Sequence, residues 1–179
     1  MAVAPGQYRF GPRNGRLLLR TGRQGMAGAL GHDLTLEVTS WSAEVEVGSA
    51  PAAVRVEAQV DLDSLTVVEG RGGATPLTPA NRRDIATNAR KALDVARFPE
   101  AVFAATGIDP SAPAVEGTLT LHGRSAPQRL DVEEAAPGRY RARATVVQSR
   151  FGITPYSAMF GALRVRDDVA FEVEVDLDA

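Results

Sequence analysis

The apolar positions change step between Gly31 and Val47. Over residues 34–38 they fall on even numbers (Leu34, Leu36, Val38), and over residues 41–47 on odd ones (Trp41, Ala43, Val45, Val47). Side chains alternate faces along a strand, so keeping one face dry across this stretch requires one extra residue near Ser40. That predicts a long strand carrying a β-bulge or sharp bend, a device common where a sheet curls on itself. Residues 54–62, 115–122, 139–147 and 169–177 alternate almost perfectly, with Val, Leu, Ala, Gly, Tyr and Phe mostly opposite Arg, Glu, Gln, Thr and Asp. Each reads as a strand dry on one side and wet on the other. Shorter strands are expected at residues 7–10, 16–20, 101–108 and 128–133. The Asn14-Gly15 step between the first two is a strong hairpin signal. Residues 21–31, 49–53 and 67–76 read as Gly-rich or turn segments, and residues 148–161 as an aromatic loop.

Helical spacing occurs once. Thr78 precedes Pro79 as an N-cap before the first helical position, and Ile85, Ala89, Ala92, Leu93 and Ala96 form one stripe, with Arg82, Arg83, Asp84, Arg90 and Lys91 mostly on the other side. Phe98-Pro99 ends the segment. The four cations suit a solvated face or the grip on an anionic head group. A single helix cannot cover the dry face of eight or more antiparallel strands, so the sheet must cover itself, as a barrel or a sandwich. The bent strand favours a barrel, built as one domain over residues 1–179.

The expected inner face is apolar but rich in small residues: Ala43, Ala58, Ala104, Gly117, Ala142 and Ala144. Two readings stand. The small residues leave room for a lipid-like ligand, or they face large ones such as Trp41, Phe103 and Phe171 across a filled interior. In the hollow case, ligand contacts fall to inward residues: Leu36, Val38, Trp41, Ala58, Phe103, Leu119, Ala142, Ile153, Phe160 and Phe171, with His32 near the mouth.

Composition narrows the chemistry. At 44% hydrophobic, 23% charged and net charge -2, the 179 residues are those of an ordinary globular domain with no general pull toward phosphate backbones, so nucleic acid is not expected as a partner. With no cysteine, thiolate and Cys-metal chemistry drop out. The first residues show neither a basic leader nor an apolar run, which points to the cytoplasm and to no integral membrane span. Of the two histidines, His32 precedes Asp33 after a Gly-rich loop, a pair suited to acid/base work or to capping a strand. His122-Gly123 reads as the start of a hairpin turn. No HExxH, phosphate-binding glycine fingerprint or serine nucleophile elbow is present.

The order of landmarks resembles the YceI-like family, over nearly the whole chain. The resemblance is most specific at Asn81-Arg-Arg-Asp-Ile-Ala-Thr-Asn-Ala-Arg-Lys-Ala-Leu-Asp94, Arg97-Phe-Pro-Glu-Ala-Val-Phe103 and Val115-Glu-Gly-Thr-Leu-Thr-Leu-His-Gly123. Gly6-Gln-Tyr-Arg-Phe10, the segment from Gly31 to Ser42 and that from Phe151 to Leu163 extend it. The resemblance implies a mainly β, lipocalin-like antiparallel barrel of about eight strands with one amphipathic helix. It also implies an apolar tunnel for a polyisoprenoid, isoprenoid quinone or fatty-acyl lipid, without catalytic machinery or a cofactor beyond that bound lipid. The expected role is therefore non-enzymatic binding or transport of an apolar small molecule. The rivals are an enzyme or quinone-handling protein using His32 with Asp33, and a ligand-free structural or interaction protein. Exposed strand edges and the aromatic loop are the surfaces a homodimer would use.

Overall fold

A computed structural model describes residues 3–49, 54–109 and 111–177. The expected turn at residues 49–53 lies mostly outside them. Among the described residues there are twelve strands and one α-helix: β1 (Gly6–Phe10), β2 (Gly15–Gln24), β3 (His32–Val38), β4 (Trp41–Val47), β5 (Val54–Asp61), β6 (Leu65–Gly72), α1 (Pro79–Ala92), β7 (Glu100–Ile108), β8 (Ala114–Leu121), β9 (Arg124–Ala136), β10 (Arg139–Val147), β11 (Ser157–Ala158) and β12 (Leu163–Asp176). They form one curled sheet in the order β1-β4-β5-β7-β8-β9-β10-β12-β2-β3-β6, with β11 beside β12. Its strand pairs are antiparallel.

The chain itself joins the two ends of that order. β3 runs into β4 across Thr39-Ser40, β5 into β6 across the 3₁₀ turn Leu62–Ser64, and β1 toward β2 across residues 11–14. Each of these three long strands lies in the sheet twice, with β1, β4 and β5 on one side of a corner and β2, β3 and β6 on the other. Counted once each, and without the two-residue β11, the twelve segments reduce to the eight staves expected from the sequence. The bend near Ser40 is where the change of parity put it. Val38 and Trp41 are both buried while Thr39 and Ser40 between them are exposed. Asp61 N donates to Ser40 O at 3.0 Å and Thr39 N to Ser64 O at 3.4 Å, which pins two bent strands together at the corner.

Three local expectations give way. The hairpin expected at residues 11–15 is a corner instead: β1 pairs with β4, while both edges of β2 are taken by β12 and β3. Asn14 stabilises that corner with its side chain, accepting from Gly11 N at 3.0 Å and donating to Arg9 O at 3.0 Å. Residues 65–72, assigned largely to a loop, form β6, because Leu65 and Val67 are buried and the glycines serve close approaches at its far end. A Cβ on Gly70 would stand in the Leu77 side chain. Ala104, expected inside, is exposed, since Ala101, Phe103 and Ala105 take the inner face of β7. A bulge at Gly107, φ +70, then returns Ile108 to the interior.

Helix α1 begins with the expected Thr78 cap, completed into a capping box by Asn81. It ends at Ala92, so Ala96 lies beyond it and is exposed. Its apolar stripe packs Ile85, Ala86, Ala89 and Leu93 against Trp41, Leu65 and Val67. Arg82 and Arg90 take neither of the roles read from the sequence. Arg82 donates to Val67 O (3.3 Å) and Val68 O (2.5 Å), and Arg90 to Asp63 O (2.9 Å) and Leu65 O (3.1 Å). β6 is the last strand of the order, and these arginines cover carbonyls that an open edge would offer to another chain.

The outer wall is held by cross-strand ion pairs: Arg141 with Glu174 (2.6 Å) and Glu133 (3.2 Å), Arg143 with Glu172 (2.9 Å), Arg20 with Glu172 (3.1 Å) and Arg16 with Glu37 (2.9 Å). Alternation carries the opposite side chains of the same strands inward.

Candidate ligand cavity

The inward residues do not close into one core. Buried side chains form three clusters, around Leu36, Val38, Trp41 and Leu65, around Leu62, Phe151 and Ile153, and around Val47, Phe103 and Ile108. Between them lies a cavity of about 680 Å³. Leu119, Phe171 and Val173 line it and are only half-buried, because their open side borders the empty space. α1 contributes Ile85, Asn88, Ala89 and Ala92 to the wall, and Leu93 just beyond its end joins them.

The small residues divide between the two readings of the sequence. Gly117 makes room for a neighbour, since a Cβ there would meet the Phe103 ring, and Gly15 does the same for Trp41. Ala144 pairs across β10 and β12 with Phe171, as Ala58 does across β5 and β7 with Phe103, and both alanines also line the cavity. Ala43, Ala58 and Ala142 line the cavity. Large-against-small packing therefore fills part of the barrel and leaves the rest hollow.

Of the residues named from sequence, His32, Leu36, Val38, Trp41, Ala58, Phe103, Leu119, Ala142, Ile153 and Phe171 line the cavity. Phe160 does not: it was expected inside and is fully exposed. Met159 and Phe160 both hold left-handed backbone, φ 52 and 54, which turns this tip of the loop outward. Sequence reasoning missed Thr21, Arg23, Gln128 and Tyr140, all on the wall. Strict alternation placed Tyr140 inside, but nothing in the pattern marked it as a polar point in a dry interior.

Polar groups on the wall are few. Gln128, the buried polar residue, donates Nε2 to Arg129 O (2.9 Å) and Thr145 O (3.3 Å). Trp41 Nε1 and Thr21 Oγ1 are buried with no protein partner. Burial pushes the Tyr140 phenol above its ordinary range, with Glu134 and Tyr8 adding to the effect. One end of the cavity is bordered by Tyr8, Ile108 and Tyr140, the other by Leu30, Gly31, His32, Tyr156 and Leu163.

His32 stands at this second end, but Asp33 does not join it. Neighbours on a strand face opposite ways. His32 Nε2 bonds Thr75 O at 2.8 Å, which fixes the proton on that nitrogen, while Asp33 Oδ1 accepts from Arg23 N at 3.0 Å. The Arg23 guanidinium in turn donates to Gly31 O. His122 serves the β8–β9 turn expected of it, with φ 53 ahead of Gly123 at φ +70. Its Nδ1 donates to Phe151 O at 3.1 Å and its ring lies 4.8 Å from that of Phe98. Among the described residues no group of three or more His, Asp or Glu is placed to hold a metal ion, and no helix is long and apolar enough to cross a membrane.

An antiparallel barrel with a covering helix and an apolar interior cavity defines the class of protein. The sequence model of the YceI-like domain matches residues 19–177, and the chain belongs to that family. Among solved structures it is similar to Burkholderia cenocepacia BcnA, at 14% identity and a TM-score of 0.58 over 90% of this chain and 94% of that one. It is also similar to the Campylobacter jejuni YCEI protein, at 18% identity and a TM-score of 0.54 over 79% and 82%. At these identities the likeness establishes the fold. A search of curated proteins found no match.

Proposed function

We propose that the barrel binds a long apolar molecule along its interior and serves as a non-catalytic carrier or sequestering protein. The observation that carries this reading is the cavity itself. Protein interiors normally pack to crystal-like density, yet about 680 Å³ stays open here, walled by aliphatic and aromatic side chains from the sheet and the helix. Small-molecule pockets span roughly 300–1,000 Å³ and are mostly apolar with a few placed polar groups. Each methylene moved from water into such a space gains about 0.8 kcal/mol, so a long chain is favoured over a compact polar metabolite. An isoprenoid, an isoprenoid quinone or a fatty-acyl lipid meets that description. Among the polar wall groups, Trp41 Nε1 and Thr21 Oγ1 are buried without a protein partner, which suits a ligand with isolated hydrogen-bonding atoms on an apolar body. His32 and Asp33 are each held by a different partner, which supports the carrier reading over acid/base chemistry by the pair.

Native mass spectrometry of the purified protein, followed by organic extraction, tests the reading. The expected result is a co-purifying apolar molecule at near-unit stoichiometry, or, for an empty preparation, saturable uptake of an apolar fluorescent probe. The absence of both a co-purifying molecule and probe uptake would contradict it.

A further inference from the structure

Among the described residues, the five large apolar side chains that stand exposed, Met26, Leu30, Tyr156, Met159 and Phe160, all come from two loops, and those loops are in contact. Ala27 N donates to Ala162 O at 2.9 Å, and Gly25, at φ +100, lets that carbonyl lie where a side chain would stand. Because the loops meet through backbone, their apolar side chains are left pointing outward. Leu30 and Tyr156 belong to this patch and also line the cavity, so the exposed apolar surface is continuous with the interior.

We propose that this mouth docks on the surface of a lipid bilayer, with Met26, Met159 and Phe160 entering the interfacial layer so that the apolar ligand passes between membrane and cavity. The role of the mouth in transfer rests on the cavity's being a lipid site; the docking itself does not. Two observations point to a bilayer. Phe160 and Met26, fully and 98% exposed, project as apolar tips able to enter the interfacial layer. Residues 25–31 and 156–163 contain no charged side chain, while the next charged positions outward are Arg23, Asp33, Arg150 and Arg164. Arg23 lies against Asp33, its Nε 3.8 Å from the carboxylate, which leaves Arg150 and Arg164 as the cations that flank the two loops in sequence. Apolar side chains flanked by basic residues are a pattern by which peripheral proteins meet phosphate head groups and acyl chains together.

The test is co-sedimentation with phosphatidylcholine vesicles, with and without phosphatidylglycerol, alongside uptake of a soluble apolar fluorophore read through Trp41, the only tryptophan. Phe160→Asn suits the left-handed position, and Met26→Gln probes the other loop. Wild type should sediment with vesicles, more so with the anionic lipid, and Phe160→Asn should lower the vesicle partition coefficient roughly tenfold. Both variants should take up the fluorophore as wild type does. Wild type remaining in the supernatant with every vesicle composition would overturn the proposal, as would variants that sediment like wild type. Self-association that Phe160→Asn abolishes, without vesicle binding, would overturn it in favour of a second copy of this chain. Vesicle binding without fluorophore uptake by wild type would uphold the docking surface and overturn the cavity reading.

Discussion

The loop of residues 148–161 contains two Phe-Gly steps, and the barrel treats them in opposite ways. Phe151 is 1% exposed and Phe160 fully exposed, yet each is followed by a glycine in left-handed backbone, Gly152 at φ +73 and Gly161 at φ +86. The difference lies in what holds the backbone before each step. Ser149 donates N (2.8 Å) and Oγ (2.5 Å) to Asp167, Gln148 Nε2 donates to Arg166 O (3.0 Å), and His122 Nδ1 donates to Phe151 O (3.1 Å). These bonds press the Phe151 ring onto Leu62, Val95 and Leu121, where it closes one side of the barrel. Around Phe160 the backbone bonds run to Tyr156, Ala27 and Met159, and they hold the loop without turning its side chains inward. One half of the loop is a plug; the other is a surface.

Phe151→Ala should test that contrast most severely. Removing a fully buried aromatic ring costs about 3–5 kcal/mol, read by urea or thermal unfolding. The same measurement on Phe160→Asn should give a change within about 0.5 kcal/mol, as for surface substitutions. Comparable losses at both positions would erase the distinction.

The glycines sharpen it. Gly152→Ala forces a Cβ into left-handed backbone at a cost of about 1–2 kcal/mol, and that Cβ would also meet the Arg124 guanidinium. Gly161→Ala carries the same backbone cost with open space around it, so it should be the milder of the two in the same unfolding assay. An effect of similar size, about 1–2 kcal/mol, is expected for Arg90→Ala, which strips charged hydrogen bonds from the carbonyls of Asp63 and Leu65. Hydrogen exchange should rise in β6 and remain unchanged around Phe151.

The smallest effect belongs to the outer wall. Hydrogen bonds from Arg143, then Arg20, hold the Glu172 carboxyl below its ordinary range against the opposing effect of burial. A depressed folded value means the contribution is present above the unfolded value and is lost as pH falls through the folded one. Glu172→Gln should therefore cost below about 1 kcal/mol at neutral pH, and its difference from wild type should shrink as the pH drops below the ordinary glutamate range.

Alternation and its single fault made most of the sheet readable, because period-two patterning and the extra residue near Ser40 are properties of a few consecutive positions. Thr78-Pro79 marked the helix start for the same reason. What escaped depends on partners far along the chain. Asn14-Gly15 is a local hairpin signal, but β12 and β3 compete for β2, and the turn became a corner. The glycines of β6 looked like a loop until Leu77 and Arg23 arrived beside them. Arg82 and Arg90 read as a solvated helical face because no local pattern shows that a sheet edge lies within reach. Inward positions such as Leu36, Trp41 and Phe171 followed from parity, whereas Phe160 sits in an irregular loop where parity has no meaning.

Titration of the protein with a long-chain fatty alcohol, followed through Trp41 emission, addresses the hollow barrel most directly. Trp41 borders the cavity and reports on nothing else of its kind in the chain. A saturable change in emission is expected for wild type, weakened at least tenfold in Ala58→Phe and Ala142→Phe, whose rings would occupy part of the space while costing about 1–3 kcal/mol of stability. Emission that stays flat in wild type, or binding that survives both substitutions undiminished, would contradict an interior ligand.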